Sequence, residues 1–187
     1  MAQKPNFVII YGETQGANVI GAYGYPGVNT PNTDKLAQSG ILFTRGYTTC
    51  PLCTPARAGM FTGIYPHSTG AWTNTLPTGK NIKTMGQRFR DAGYRTAYTG
   101  KWHLDGHDYF GTGRCPDGWD KEYWYDGKRY LNDLTVDEIY LWRKGLDSTH
   151  ALREHEITSE FTWGHRAADK AINFLKNRLP GDPFLLV

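Results

Sequence analysis

The residues best suited to chemistry lie in Cys53-Thr54-Pro55-Ala56-Arg57-Ala58-Gly59-Met60-Phe61-Thr62-Gly63. A thiol and a guanidinium stand one helical turn apart at what reads as a loop-to-helix junction. Thr54 suits an N-cap, and Pro55 suits the first helical position, where its missing N–H would have had no partner. Gly63 follows as a left-handed C-cap. Cys53 is therefore expected at the positive end of a helix dipole, beside a cation, in surroundings that favour an anion. A structural cysteine needs none of this. Cys50-Pro51-Leu52-Cys53 is also a C-x-x-C set between a strand-like run and a helix, the layout of a thiol redox pair. That reading leaves Arg57 and Thr62-Gly63 without a role. A zinc site has only Cys115 to offer as a third thiolate.

A second segment reads Gly93-Tyr94-Arg95-Thr96-Ala97-Tyr98-Thr99-Gly100-Lys101-Trp102-His103-Leu104. Alone, Lys101 reads as a surface lysine and His103 as a capping or core histidine. Together the two segments resemble the signatures of one family. The pattern C-x-P-x-R closed by Thr-Gly resembles the active-site signature of the type I, formylglycine-dependent sulfatases of the alkaline phosphatase superfamily. The pattern G-Y-x-T-x-x-x-G-K-W-H-L resembles that family's second signature, in the family's order. Ala56 stands where serine is more frequent. The run Lys101-Trp102-His103-Leu104-Asp105-Gly106-His107-Asp108 is most similar to bacterial sulfatases with K-W-H-L-D-G-H-D.

The resemblance implies a sulfuric ester hydrolase in which a maturation enzyme oxidises Cys53 to formylglycine. One hydroxyl of the hydrated aldehyde attacks sulfur, and the other expels sulfate. It implies Cys53, Arg57, Lys101 and His103 as catalytic residues. A sulfate ester is anionic and gains charge on its oxygens under attack, so fixed cations must be waiting. Lys101 supplies a point charge between sulfate and nucleophile. Arg57 holds the hydrate, and His103 moves a proton. Substrate contact is expected from Lys101, Asp105 and His107, with Asx-turns in the same loop as the bland alternative.

The resemblance also implies a divalent cation, usually calcium, which takes several oxygen ligands. Glu13 and residue 53 are the candidate ligands. Tyr11-Gly12-Glu13-Thr14-Gln15 departs from the family's T-D-D-Q, with Glu for the first aspartate and Thr14 for the second. A phosphonate or phosphodiester hydrolase of the same superfamily is the near alternative, and a non-catalytic remnant or a thiol redox protein stands further off. The expected partners are a sulfated small molecule or carbohydrate and the maturation enzyme.

Composition narrows the classes. The 187 residues carry a net charge of +3 without a basic run, so nucleic acid is not indicated. The longest apolar runs, Phe7 to Tyr11 and Phe184 to Val187, fall well short of the roughly 20 residues of a membrane span. Three cysteines are too few for a disulfide framework, and Met1-Ala2-Gln3-Lys4-Pro5 shows no signal-peptide core. Cytoplasm is the expected location, or periplasm or outside the cell if a leader has been removed.

The elements that must position these residues alternate. Phe7–Tyr11 reads as a buried strand, Thr30-Pro31 opens a helix ending near Gly40, and Ile41–Thr48 reads as the next strand. A helix over 84–92 precedes a strand at Arg95–Thr99, which delivers Lys101 and His103 at its carboxyl end. Asp105 to Asp133 reads as an irregular excursion rich in Gly, Asp and aromatics. There Trp119, Tyr123, Trp124 and Tyr125, with Trp72 and Asn74 upstream, could stack on a sugar or an aryl group, or pack a core. Thr135-Val136-Asp137-Glu138 is a capping box opening a helix toward Lys144. A longer helix is expected over 158–179, then a strand from Phe184. His150, His155 and His165 have no metal-ligand spacing.

This is an α/β pattern: a largely parallel sheet with helices on both faces and the active site beyond the carboxyl ends of its strands. An apolar strand that stops at Val187 leads us to expect the N-terminal part of a sulfatase catalytic domain, truncated at its C-terminus, over 1–187 with no internal boundary.

Overall fold

The computed structural model describes residues 4–145 and 149–187. The chain divides into two compact units, residues 1–9 with 49–187, and Ile10–Thr48.

The larger unit is built on four parallel strands: β1 (Phe7–Val8), β2 (Arg95–Thr99), β3 (Trp124–Tyr125) and β4 (Phe184–Leu186), in the order β1-β4-β2-β3. The last strand in sequence is thus central in space, and all three of its residues are buried. A strand covered on both faces needs apolar side chains at successive positions, and Phe184-Leu185-Leu186 supplies them.

Alternation along β2 and β4 divides the core in two. Tyr98 and Leu185 pack with Phe61, Trp102, Trp119 and Trp124 on one face. Ala97, Phe184 and Leu186 pack with Phe174 on the other. The first face is covered by α1 (Cys53–Thr62) and α2 (Met85–Asp91), and the second by α3 (Trp163–Asn177). The expected parallel sheet with helices on both faces is present.

Local signals explain most boundaries. Thr84 and Gln87 form a reciprocal capping box at the start of α2. Thr135 and Glu138 form another at helix α4 (Val136–Gly145), with Thr135 N–H donating to Glu138 Oε2 at 2.8 Å. The start of α3 falls later than the apolar pattern suggests, because the Thr162 hydroxyl accepts from His165 N–H and caps the helix there. The supposed irregular excursion holds β3 and helix α5 (Gly127–Asp133), whose N-cap Asp126 accepts from Arg129 N–H at 3.0 Å.

The smaller unit contains helix α6 (Pro31–Ser39), ending at Gly40 as expected. Asp34 Oδ1 accepts from Ala22 N–H at 2.7 Å and from the Thr30 hydroxyl at 2.8 Å, which ties the helix to the turn before it. The strand expected at Ile41–Thr48 is absent. Ile41, Phe43 and Tyr47 are 81%, 72% and 89% exposed, and no described strand pairs with this segment. β-propensity without a ladder partner does not make a strand.

Candidate active site

Buried positions on α1 are Thr54, Pro55, Arg57, Ala58, Phe61 and Thr62, a stripe at helical spacing. Phe61 fills the core against Tyr98, Trp102 and Trp119. Arg57 shares this stripe and is only 3% exposed. A guanidinium so placed must be hydrogen-bonded, or its desolvation would cost several kcal/mol. Its Nη1 donates to the carbonyl oxygen of Lys101 at 2.5 Å and to the Tyr98 hydroxyl at 3.3 Å. The Tyr98 hydroxyl donates to the same carbonyl. The helix carrying Cys53 is thus fastened to the turn carrying Lys101 and His103.

The start of α1 differs from expectation by one register. Cys53 is itself the first helical residue, Leu52 is the extended N-cap, and Thr54 does not cap. The cap comes from far along the chain: Thr54 N–H donates to Asn74 Oδ1 at 3.0 Å. Pro55 has no N–H to satisfy, so Asn74 and Pro55 together account for two of the donor positions that a helix start leaves open. Gly63 closes the helix in the left-handed region at φ 71°, as expected.

At the exit of β2, Thr99 N–H donates to Val187 O at 2.8 Å and Gly100 N–H to Tyr125 O at 2.7 Å. The chain then leaves the sheet through Gly100, whose φ of 124° suits only glycine. Trp102 is buried among Phe61, Tyr98, Trp119 and Trp124, which plants the middle of Lys101-Trp102-His103 in the core. His103 is buried and left-handed at φ 56°, an uncommon state for a non-glycine residue that costs of order 1 kcal/mol or more. The Lys101 ammonium lies 5.7 Å from the centroid of the Tyr109 ring.

Asp105 organises its own loop. It accepts from His107 N–H at 3.3 Å in an Asx-turn and from the Thr112 hydroxyl at 3.3 Å. His107 is exposed. Gly106 sits against the loop that carries Asn74: a Cβ there would meet Pro77 Cδ at 3.3 Å and Thr75 O at 3.6 Å. Thr75, next to Asn74, is itself left-handed at φ 66°. Strained backbone at Thr75 and His103 thus flanks the joint between the two loops.

Of the two roles open to the aromatics, Trp119, Trp124 and Tyr125 take core packing, since each is buried among other side chains. Of the aromatic candidates Trp72 alone is largely exposed. Cys115 is structural: its thiol donates to the Trp119 carbonyl at 3.3 Å, and burial pushes its pKa up. Sequence reasoning also gave no capping role to Asn74 and no role to Tyr98, because both act through backbone atoms of residues remote in pattern.

The two candidate cation ligands, Glu13 and Cys53, belong to different units of the chain. Glu13 belongs to the smaller unit and is exposed, next to a left-handed Thr14 at φ 57°. Among the described residues no three His, Cys, Asp or Glu side chains gather as a metal ion requires.

A parallel α/β sheet with a cysteine-led helix and a Lys-Trp-His turn joined beyond it defines the class. The sulfatase family profile matches residues 5–187, and the chain belongs to the sulfatase family. It is 53% identical over 186 residues to the uncharacterized sulfatase YidJ of Escherichia coli (strain K12), covering 99% of this chain and 37% of that protein. The N-acetylglucosamine-6-O-sulfatase of Bacteroides thetaiotaomicron is 29% identical over 193 residues, covering 99% of this chain and 30% of the relative. A solved structure in complex with its substrate D-glucosamine-2-N,6-O-disulfate superimposes with a TM-score of 0.67 at 25% identity, over 98% of this chain and 33% of that one. The phosphonate monoester hydrolase of Agrobacterium radiobacter shares the fold, with a TM-score of 0.69 at 21% identity over 98% of this chain and 40% of that one. The chain spans between a third and two fifths of the length of the Escherichia coli relative.

Proposed function

We propose that this chain carries the nucleophile-bearing part of a sulfuric ester hydrolase acting on a sulfated carbohydrate or small molecule. The observation that carries the reading is the bond from Arg57 to the Lys101 carbonyl, which fastens the two signature segments to each other. A thiol redox pair at Cys50 and Cys53 has no use for that link.

Cys53 at the first position of α1 fits the formylglycine of the family: its N-terminal turn is held by Asn74, and its helix is fixed to the sheet by Phe61 and Arg57. The modified residue supplies a hydrated aldehyde, an oxygen nucleophile toward sulfur. Lys101 supplies the fixed positive charge that an anionic ester needs as negative charge grows on its oxygens. His103, held in place by its buried and strained backbone, moves the proton. Arg57 contributes charge beside residue 53 and spends part of its hydrogen bonding on the Lys101 carbonyl. His107 is the candidate for contact with the alcohol half, while Asp105 shapes the loop that presents it. The family resemblance adds a divalent cation with Glu13 among its ligands, and a maturation enzyme that converts Cys53. The names of the N-acetylglucosamine-6-O-sulfatase and of the glucosamine disulfate complex support an amino-sugar sulfate as substrate. Cytoplasm is the proposed location.

The test is turnover by the protein in full, produced with a maturation enzyme. Glucosamine 6-sulfate and an aryl sulfate should be hydrolysed, and an aryl phosphate diester much more slowly. Cys53→Ala should abolish the activity and Cys50→Ser should leave it in place. A preference for the phosphate diester would replace this reading with the phosphonate-hydrolase one. Loss of function in Cys50→Ser alone would favour thiol chemistry.

A further inference from the structure

The Tyr98 ring is tightly held where the two signature segments meet. It is 2% exposed and lies between Phe61 at 5.9 Å, Trp102 at 5.3 Å, Trp119 at 5.1 Å and Trp124 at 5.0 Å, the last nearly parallel to it at 23°. Packing on this scale needs only the ring, and phenylalanine would supply it. The hydroxyl is an added polar group in an apolar cage, and a buried hydroxyl costs free energy unless it is bonded. Its bonds run to the Lys101 carbonyl and from Arg57 Nη1. Arg57 also reaches that carbonyl, so the three groups close a ring of hydrogen bonds around one backbone oxygen.

That oxygen lies between two positions of left-handed φ. Gly100 at φ 124° precedes it and the left-handed His103 at φ 56° follows it. The sheet ladder has already ended, with Gly100 N–H on Tyr125 O. Without a fixed partner at Lys101 O, nothing in the strand pattern would choose this path for the turn. A phenol immobilised by four rings offers a fixed point for it.

From this geometry we infer that Tyr98 is a positioning residue: through its hydroxyl it sets the backbone at Lys101 and so the placement of the Lys101 ammonium and the His103 imidazole. The inference rests on the sulfatase reading for its catalytic consequence and on the hydrogen-bonded ring alone for its structural one. Tyr98 acts through the Lys101 backbone oxygen that it holds. Its effect belongs in kcat, because small misplacement of a charge weakens transition-state stabilisation more than ground-state binding.

The experiment compares Tyr98→Phe with wild type in the protein in full, with the aldehyde content of residue 53 equalised by mass spectrometry. Expected are a fall in kcat on a sulfate ester of about tenfold, a KM within about threefold, and a retained melting transition. Tyr123→Phe removes a hydroxyl that accepts from Arg95 at 3.3 Å on the other side of the sheet, and it should keep wild-type kinetics. A second readout needs no turnover. Competitive acetylation followed by peptide mass spectrometry should show Lys101 labelled about threefold faster in Tyr98→Phe, with Lys176 unchanged. Absence of turnover in wild type would count against the sulfatase reading, and Lys101 labelling alone then decides the role of Tyr98. Unchanged labelling overturns the inference. So does unchanged kcat in an enzyme that turns over.

Discussion

Arg57 Nη1 donates to the Lys101 carbonyl oxygen at 2.5 Å, from a helix position whose neighbours on the same stripe are core residues. This bond joins the cysteine-led helix to the Lys-Trp-His turn, so one guanidinium both places charge beside residue 53 and helps set the path of the Lys101 loop. Arg57→Ala should destabilise the protein by about 2–3 kcal/mol, because a charge-assisted bond is lost at a buried site. Arg57→Lys should recover little of this, since a single ammonium cannot reproduce the planar fork. Thermal unfolding of both variants measures the first effect, and sulfate ester turnover should fall in both.

Asn74 provides the second joint. Its carboxamide oxygen holds Thr54 N–H at the start of α1 from a loop distant in sequence. Asn74→Ala should cost about 1 kcal/mol, as loss of a helix cap does, and lower the melting temperature by about 2–4 °C. Asn74→Asp keeps an acceptor oxygen and should retain most of that stability. It places a negative charge near residue 53, however, and should raise KM for an anionic ester.

The cage beneath the site is as exacting as the site. Phe61 is 1% exposed and meets Tyr98, Trp102 and Trp119 edge-on or tilted. Phe61→Ala should cost about 3–5 kcal/mol, the usual penalty for emptying a packed aromatic site. Gly118, at φ 98°, leaves no room for a side chain: a Cβ there would lie 2.3 Å from the Gln87 backbone nitrogen. Gly118→Ala should therefore lower soluble yield more than Gly113→Ala, whose nearest neighbour would be the flexible Lys128 side chain at 3.4 Å. Expression and denaturant unfolding would measure both comparisons.

Acid stability has a named contributor. Asp117 bonds the guanidinium of Arg90, and Gln87 Nε2 donates to it at 3.0 Å, which brings its pKa down to about 2. Because the folded value lies below the unfolded one of about 3.9, the stabilisation is present above pH 4 and is lost as pH falls toward 2. The pair is largely exposed, so the effect is small and screened by salt. Asp117→Asn should lower stability slightly at pH 6 and make no difference near pH 2, as read by urea midpoints across that range.

How much the sequence reveals depends on how local each signal is. The bounds of β2, the capping box at Thr135 and the helix stop at Gly63 all follow from neighbouring residues, and all are present. Ile41–Thr48 carries strand-like residues, but a strand needs a partner that sequence alone cannot supply. β3 is two residues long and offers no period to detect. The cap on α1 comes from Asn74, and the principal described partner of Arg57 is a backbone oxygen, so neither is written in side-chain spacing. The signature residues were legible as a set. The bonds that hold them together were not.

The central claim is that residue 53 acts as an aldehyde toward sulfate esters. The most direct measurement is the mass of the peptide containing residue 53, taken on the same preparation whose turnover is measured, across samples matured to different extents. The account predicts an aldehyde at residue 53, a thiol at Cys50, and a rate proportional to the aldehyde fraction. Turnover by protein with an intact thiol at residue 53 throughout would contradict it. So would fully aldehyde-bearing protein that hydrolyses no sulfate ester.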